Sequence, residues 1–345
     1  MQQYDTIIIG AGHNGLVCAT YLARTGQRVL VLEASDTLGG LASKRIFHPG
    51  FKSCVAHSAG QFSAKIVRDL DLARHGYQSG QATPTVGLDL AGNHVTIKGD
   101  VVSGVEGDDV TRFVKYRKMM LRFAKLLKPY SLKTIPRIGN NNFSEIMLFA
   151  KMALKMRLLG KDDMREFMRI VTLPARDLMD ENFDNEILKA VLSWDGLIGS
   201  KNAPRSPNHT ILAMLYRMIG EHKGDHTVPV GGIAGLINAL TGAAKAAGVE
   251  IKTNAYVGRI LIETKETGLK ASGVELADGE KIMAERIVSA VDPKQTFLDM
   301  VGVDNLEIQF TNRINRLRSE GYVAKLHLAL SGLPHFTGME TLDGR

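Results

Sequence analysis

The chain has 345 residues, 44% of them hydrophobic and 23% charged, the balance of an ordinary globular protein, which excludes a disordered chain, a collagen-like chain and a coiled coil. Its 43 Lys and Arg against 36 Asp and Glu give a net charge of +7, too mild at this length to imply nucleic acid. The longest apolar runs are broken by Lys, Arg or Gly short of the ~18–20 residues that a membrane-spanning helix needs.

Length predicts two domains at about 150 residues each. Cys18 and Cys54 form no Cys-x-x-Cys pair, so neither a disulfide scaffold nor a redox dithiol is expected. The N-terminus lacks the charge, apolar stretch and cleavage site of a secretory signal. The chain is expected to begin at its first strand, and a cytoplasmic location is the default.

Thr6–Ile9 is a β-branched run that predicts a buried parallel strand. Gly10-Ala11-Gly12-His13-Asn14-Gly15 follows, a complete G-x-G-x-x-G. Leu16–Arg24 reads as a helix ended by Gly26, and Arg28–Leu32 as a second strand with Glu33 at its end. Gly10 allows the turn, Gly12 lets a pyrophosphate approach the backbone, and Gly15 lets the helix pack on the sheet. The helix start offers N–H groups to phosphates, and Glu33 can accept from a ribose diol. A free acid here disfavours NADP, whose 2′-phosphate wants an Arg. Gly39-Gly40-Leu41-Ala42, shortly after Glu33-Ala34, resembles the FAD family that includes amine oxidases and phytoene desaturases. In that family this stretch approaches the pyrophosphate and leads toward the flavin.

Thr85–Lys98 predicts a hairpin turning at Gly92-Asn93. From Asp108 to about Leu159 the pattern is helical, broken near Pro129 and Pro136, with a polar loop at Gly139–Asn142. Further helices are expected over Met164–Ile170 and Asn185–Leu192. Arg112 to Arg176 carries sixteen Lys and Arg against four acids, a local +12, and seven of the 14 methionines. An apolar stripe (Ile146, Met147, Phe149, Ala150, Ala153, Leu154, Leu158) runs beside Lys151, Lys155 and Arg157. Two readings stand: a helical domain with a solvated basic face, or docking on anionic lipid. RNA is a weaker option, because aromatics for stacking are few.

Thr227–Val230 reads as a strand, followed by Gly231-Gly232, a helix over Ala234–Ala247 and a strand over Val249–Thr253. Strands are also expected over Ala255–Glu263 and Lys270–Leu276. Asp278-Gly279 turns into strands at Glu280–Ala284 and, separately, Arg286–Ala290. Asp292 or Pro293 should open a helix.

The run Val228-Pro229, Gly231-Gly232, Gly248-Val249-Glu250-Ile251, Val257-Gly258-Arg259-Ile260, Gly273-Val274-Glu275-Leu276-Ala277-Asp278-Gly279 and Ser289-Ala290-Val291-Asp292-Pro293 resembles the phytoene desaturase and carotenoid isomerase-related flavoproteins. His48-Pro49-Gly50-Phe51, Ile198-Gly199 and Pro204-Arg205-Ser206-Pro207 point to the branch of pyridine nucleotide-disulfide oxidoreductase domain-containing protein 2. The resemblance implies an α/β fold: a Rossmann-like FAD-binding domain (parallel sheet with helices and a β-meander, 1–75 and 225–298) with an inserted α+β substrate domain (76–224 and 299–345). It implies FAD ligands at Gly10, Gly12, His13, Asn14, Gly15, Glu33, Ala34, Gly39, Gly40, Leu41 and Ala42, and an adenine-contacting backbone at Val257. Relatives are longer and carry a last glycine-rich FAD motif that this chain lacks, so a fragment is expected.

The implied chemistry is hydride transfer from a substrate C–H to flavin N5, with oxygen or a quinone as reoxidant. The substrate would be small, apolar and polyene-like, undergoing desaturation, dehydrogenation or isomerisation. The alternatives are a flavin amine oxidase and a silent flavoprotein acting as a binding partner. His57 is the first catalytic candidate, with a structural histidine as the competing reading. Arg205 reads as a substrate contact or as a loop-shaping residue, Cys54 as a buried inert thiol with a reactive thiol near the flavin as the alternative, and Trp194 and Tyr216 as core aromatics. No metal site is expected. The location would be cytoplasmic, membrane-peripheral, or mitochondrial in a eukaryote.

Overall fold

The computed structural model describes residues 4–56, 58–134, 142–266, 268–319 and 324–339. Two compact units are present: Met1–Ser58 with Ala64–Gly80 and Val228–Ser319, and Ala59–Ser63 with Gln81–Thr227 and Glu320–Arg345. The chain enters the first unit with β1 (Tyr4–Ile9), α1 (His13–Arg24), β2 (Val29–Leu32), β3 (Arg45–His48), β4 (Phe51–Ser53) and α2 (Ala64–Asp69). The second unit holds β5 (Ala82–Thr83), β6 (Thr85–Leu88), β7 (His94–Lys98), β8 (Val101–Ser103), α3 (Asp109–Leu127), α4 (Phe143–Leu158), α5 (Lys161–Ile170), α6 (Ala175–Asn182), α7 (Glu186–Leu197), α8 (Thr210–Met218) and β9 (His226–Thr227). The chain returns to the first unit with α9 (Ile233–Ala246), β10 (Glu250–Lys252), β11 (Val257–Lys265), β12 (Gly268–Leu276), β13 (Lys281–Ser289) and α10 (Ile308–Asn315).

Among the described residues the first unit has a six-stranded sheet in the order β10-β2-β1-β13-β12-β11. The β10–β2, β2–β1 and β1–β13 pairs are parallel, and β13–β12–β11 are antiparallel. All four residues of β2 are buried, as a strand covered on both faces requires. Ile7, Ile9, Leu30 and Leu32 join a cluster with Val257, Ile260, Val274 and Met300. The small residues Ala19 and Ala23 on α1 and Ala239, Ala243 and Ala244 on α9 are buried, and the two helices pack together.

β13 corrects one expectation. Glu280–Ala284 and Arg286–Ala290 read as two strands, yet one strand runs through Lys281–Ser289. The exposed pair Glu285 and Arg286 interrupts the apolar pattern without interrupting the backbone. Lys281–Met283 pair with β12 and Ala284–Ser289 with β1, so this strand joins the antiparallel half of the sheet to the parallel half. A second correction concerns Thr227–Val230: β9 stops at Thr227, because Pro229 has no N–H for a ladder.

The second unit combines the antiparallel sheet β6-β7-β8 with helices; β8 is an addition to the expected hairpin. Its core holds Phe113, Met120, Phe123, Phe167, Ile170, Phe183, Leu188 and Leu215. Phe123 meets Phe167 edge-on at 5.4 Å, a favourable aromatic geometry. The buried Asp109 carboxylate accepts from the backbone N–H groups of Asp184 and Asn185, tying α3 to the start of α7. Asn185 caps α7 by accepting from Leu188 N at 2.9 Å. The expected break at Pro136 and most of the Gly139–Asn142 loop lie outside the described residues; Asn142 caps α4.

Two phenols pin the first unit. Tyr4 donates to Glu250 Oε2 and Tyr21 to Asp69 Oδ2, each at 2.7 Å. Burial, and then the adjacent carboxylate, pushes both phenols up to about 12. A folded pKa above the unfolded value of about 10 means that this stabilisation is full below pH 10 and is lost as pH rises through about 12. Tyrosinate absorbance titration should show late-ionising phenols, and Tyr4→Phe and Tyr21→Phe should each remove one. Normal titration of both in the folded protein would contradict the contacts.

Candidate functional site

The site grows from the turn between β1 and α1. Gly10 adopts φ +97°, a left-handed value that favours glycine. Its N–H donates to Leu32 O at 2.8 Å, joining the turn to the end of β2. A Cβ on Gly10 would lie 2.9 Å from Val291 Cγ1, and one on Gly15 would lie 2.0 Å from the Gly10 carbonyl oxygen. α1 therefore approaches the turn as closely as backbone permits. Gly12 is different: its φ is −66° and a Cβ there would have nothing within 4 Å. The first turn of α1 has no acidic residue and no side-chain cap, so its N–H groups and positive dipole end are available to an anion.

A second turn lies against the first. Gly39 N donates to Ala11 O at 2.9 Å, Gly12 and Gly39 form a parallel bridge, and a Cβ on Gly40 would come 3.5 Å from Gly12 Cα. Gly39 has φ +114° and its missing side chain makes room for Ile237 of α9, 3.0 Å from the would-be Cβ. Leu41 is exposed and Ala42 is buried.

Glu33 closes the group. Its Oε2 accepts from Ala11 N at 2.8 Å and its Oε1 from Ser35 N at 3.0 Å. A carboxylate offers about four lone-pair sites, so two remain for an incoming diol. Ala34 beside it is exposed. Asn254 N donates to Ser35 O and Ala255 N to Glu33 O, which brings the start of β11, at Val257, beside the same stretch. His13 and Asn14 open α1 with exposed side chains. Desolvation still holds the His13 imidazole below its usual pKa. Burial thus favours the neutral ring, and the backbone N–H groups supply positive potential at the turn.

Gly10, Gly12, Gly15, Glu33, Gly39 and Gly40 are thus brought together, with Val257 alongside. His57 lies outside the described residues. Arg205 is exposed in a loop of the second unit. Cys54 is half-buried and its Sγ donates to Ala56 O at 2.8 Å. Trp194 and Tyr216 correct an expectation: neither is core, with 49% and 55% exposure. α7 and α8 turn Leu188, Ser193 and Gly196, and Ile211, Met214 and Leu215, inward instead. Sequence reasoning missed the supporting residues Ala290, Val291, Ile237, Ser35 and Asn254. The signal for the first two was present as small or branched residues just after a buried strand.

A family profile described as NAD(P)-binding Rossmann-like domain matches residues 8–64. One described as flavin containing amine oxidoreductase matches residues 110–328, more than half of the chain. The chain is 28% identical to mouse (Mus musculus) pyridine nucleotide-disulfide oxidoreductase domain-containing protein 2, over 99% of this chain and 62% of that protein. It is 27% identical to a limonene dehydrogenase polypeptide of Castellaniella defragrans, over 97% of this chain and 61% of that protein. It is 26% identical to chloroplastic prolycopene isomerase of Daucus carota, over 88% and 49%. Among solved structures, putrescine oxidase bound to putrescine superposes with a TM-score of 0.57 at 16% identity, covering 91% of this chain and 63% of that one, which shows the fold alone. The chain spans less than two thirds of the length of these proteins.

The flavin profile indicates FAD as the cofactor, and the geometry fits it. Open space at Gly12 meets the need of a pyrophosphate, and the remaining Glu33 lone pairs meet that of a ribose. Gly12→Ala and Gly15→Ala should separate binding from folding. Gly12→Ala should cost at most about 1 kcal/mol of stability, a lost glycine N-cap, yet abolish cofactor uptake. Gly15→Ala should cost on the order of 3 kcal/mol, the upper range of overpacking. Thermal unfolding without cofactor, beside flavin titration, reads both. Full cofactor binding by Gly12→Ala would overturn the assignment of the open space.

Proposed function

The chain belongs to the flavin containing amine oxidoreductase family, and from this premise we propose that it is an FAD-dependent oxidoreductase removing hydride from a C–H bond of an apolar, polyene-like substrate. The observation that carries the cofactor half is the facing pair of glycine turns, with Gly12 open and Glu33 beside it. Gly10, Gly12, His13, Asn14, Gly15, Gly39, Gly40, Leu41 and Ala42 would line the pyrophosphate and the path toward the flavin. Glu33, with Ala34, would hold the ribose, and the Val257 backbone the adenine. When bound, FAD supplies the hydride-accepting position. The protein's task is to bind and orient, so that the reacting atoms meet at near-attack distance.

The substrate half rests on relatives whose names carry hydrocarbon substrates, limonene and prolycopene. Desaturation, dehydrogenation and isomerisation all fit this class. The second reading is amine oxidation, favoured by the family profile itself and by the putrescine oxidase fold. His57 remains the proposed catalytic residue, as the sequence's first candidate beyond the Gly39–Ala42 turn. No helix among the described residues is long and apolar enough to cross a membrane.

Anaerobic mixing decides between the readings. Terpene and polyene substrates should bleach the oxidised flavin band, while a panel of primary and secondary amines should leave it unchanged. Bleaching by amines alone, with hydrogen peroxide formed in air, would replace the proposal with the amine oxidase reading.

A further inference from the structure

α4 is a sixteen-residue helix with no buried residue. Its inner side is half-buried: Leu148, Met152 and Met156 are partly covered, and Met156 and Leu159 pack against the core of the second unit. Its outer side is apolar and exposed: Phe143 74%, Met147 38%, Leu154 59% and Leu158 75%. At 3.6 residues per turn these four directions fall within about 60° of one another, opposite Met152. Lys151 and Arg157 flank the stripe, one on each side, and both are exposed. The acid on this helix, Glu145, lies on the packed side.

An exposed apolar stripe of this size marks an interaction site. Charge selects the occupant. The stripe sits within a segment of net +12, and Lys115, Lys118, Lys125 and Lys128 of the same unit are also exposed. A second copy of this chain would bring the same positive charge against itself. A surface that is both apolar in depth and negative at its rim suits the stripe, and an anionic bilayer has both properties.

We propose that the outer face of α4 docks on an anionic lipid bilayer, with Phe143, Met147, Leu154 and Leu158 entering the headgroup–acyl boundary and Lys151 and Arg157 meeting the headgroups. This inference does not rest on the proposed catalytic activity. It describes lying on a membrane surface, which needs no spanning helix.

Flotation of the full chain with vesicles of phosphatidylserine and phosphatidylcholine, and with phosphatidylcholine alone, tests it. The chain should float with the anionic vesicles only and be released by high salt. Leu154→Ser with Leu158→Ser should abolish flotation. Lys151→Gln with Arg157→Gln should lower the partition coefficient about 30-fold, at about fivefold per removed charge. These exposed substitutions should leave the circular dichroism spectrum intact. Absence of flotation with both vesicles would overturn the proposal, as would flotation unchanged in both double variants. Concentration-dependent self-association lost in the Ser pair would also overturn it, since a second copy would then cover the face.

Discussion

The first unit depends on a contact that only a missing side chain allows. Gly15 leaves the Gly10 carbonyl oxygen in space that any Cβ would occupy at 2.0 Å. That close approach sets α1 on the end of β1 and points its N-terminus at the turn. It also lets Ala11 donate to Glu33 and accept from Gly39, so the first strand, the second strand and the second glycine turn are hydrogen-bonded through one residue. Ala290 and Val291, just after β13, close the other side of the turn. A dinucleotide site built this way would be mostly backbone, its specificity for a pyrophosphate coming from N–H groups and excluded side chains rather than from charged residues.

This explains which parts of the molecule are legible in the sequence. A backbone site needs glycines at fixed spacing, and glycine spacing survives in a single sequence. Gly10, Gly12 and Gly15, the terminal acid Glu33, and Gly39-Gly40 all stand where the motif expects them. The helices after Asn142 and Asn185 are announced by apolar periodicity. Other features are set by tertiary context. β13 reads as two strands because Glu285 and Arg286 are charged, yet their side chains face solvent while the backbone continues to pair. Trp194 and Tyr216 look like core residues by type, but the helical phase of α7 and α8 is set by Gly196 and Leu215, which face inward. Ile237 and Asn254 touch the site only because the chain returns after the second unit, an excursion of well over a hundred residues that no local pattern encodes.

The two units divide the chemistry. The first sets a positive helix end and the Glu33 carboxylate around its glycine turns. The second concentrates basic residues and leaves α4 with an apolar face turned outward. The cofactor class follows from the first, and the apolar character of the proposed substrate follows from the relatives. The proposed membrane surface rests on the second alone.

Everything proposed for the first unit requires that Gly12, Glu33 and the Gly39–Gly40 turn together form an FAD site within this chain. The most direct test is the visible spectrum of the purified protein, with release and identification of its chromophore, for the native chain and for Glu33→Ala. A flavin spectrum with one FAD per chain, and loss of FAD from the folded Glu33→Ala protein, are expected. A folded native chain that carries no flavin and takes up none when FAD is added would contradict it.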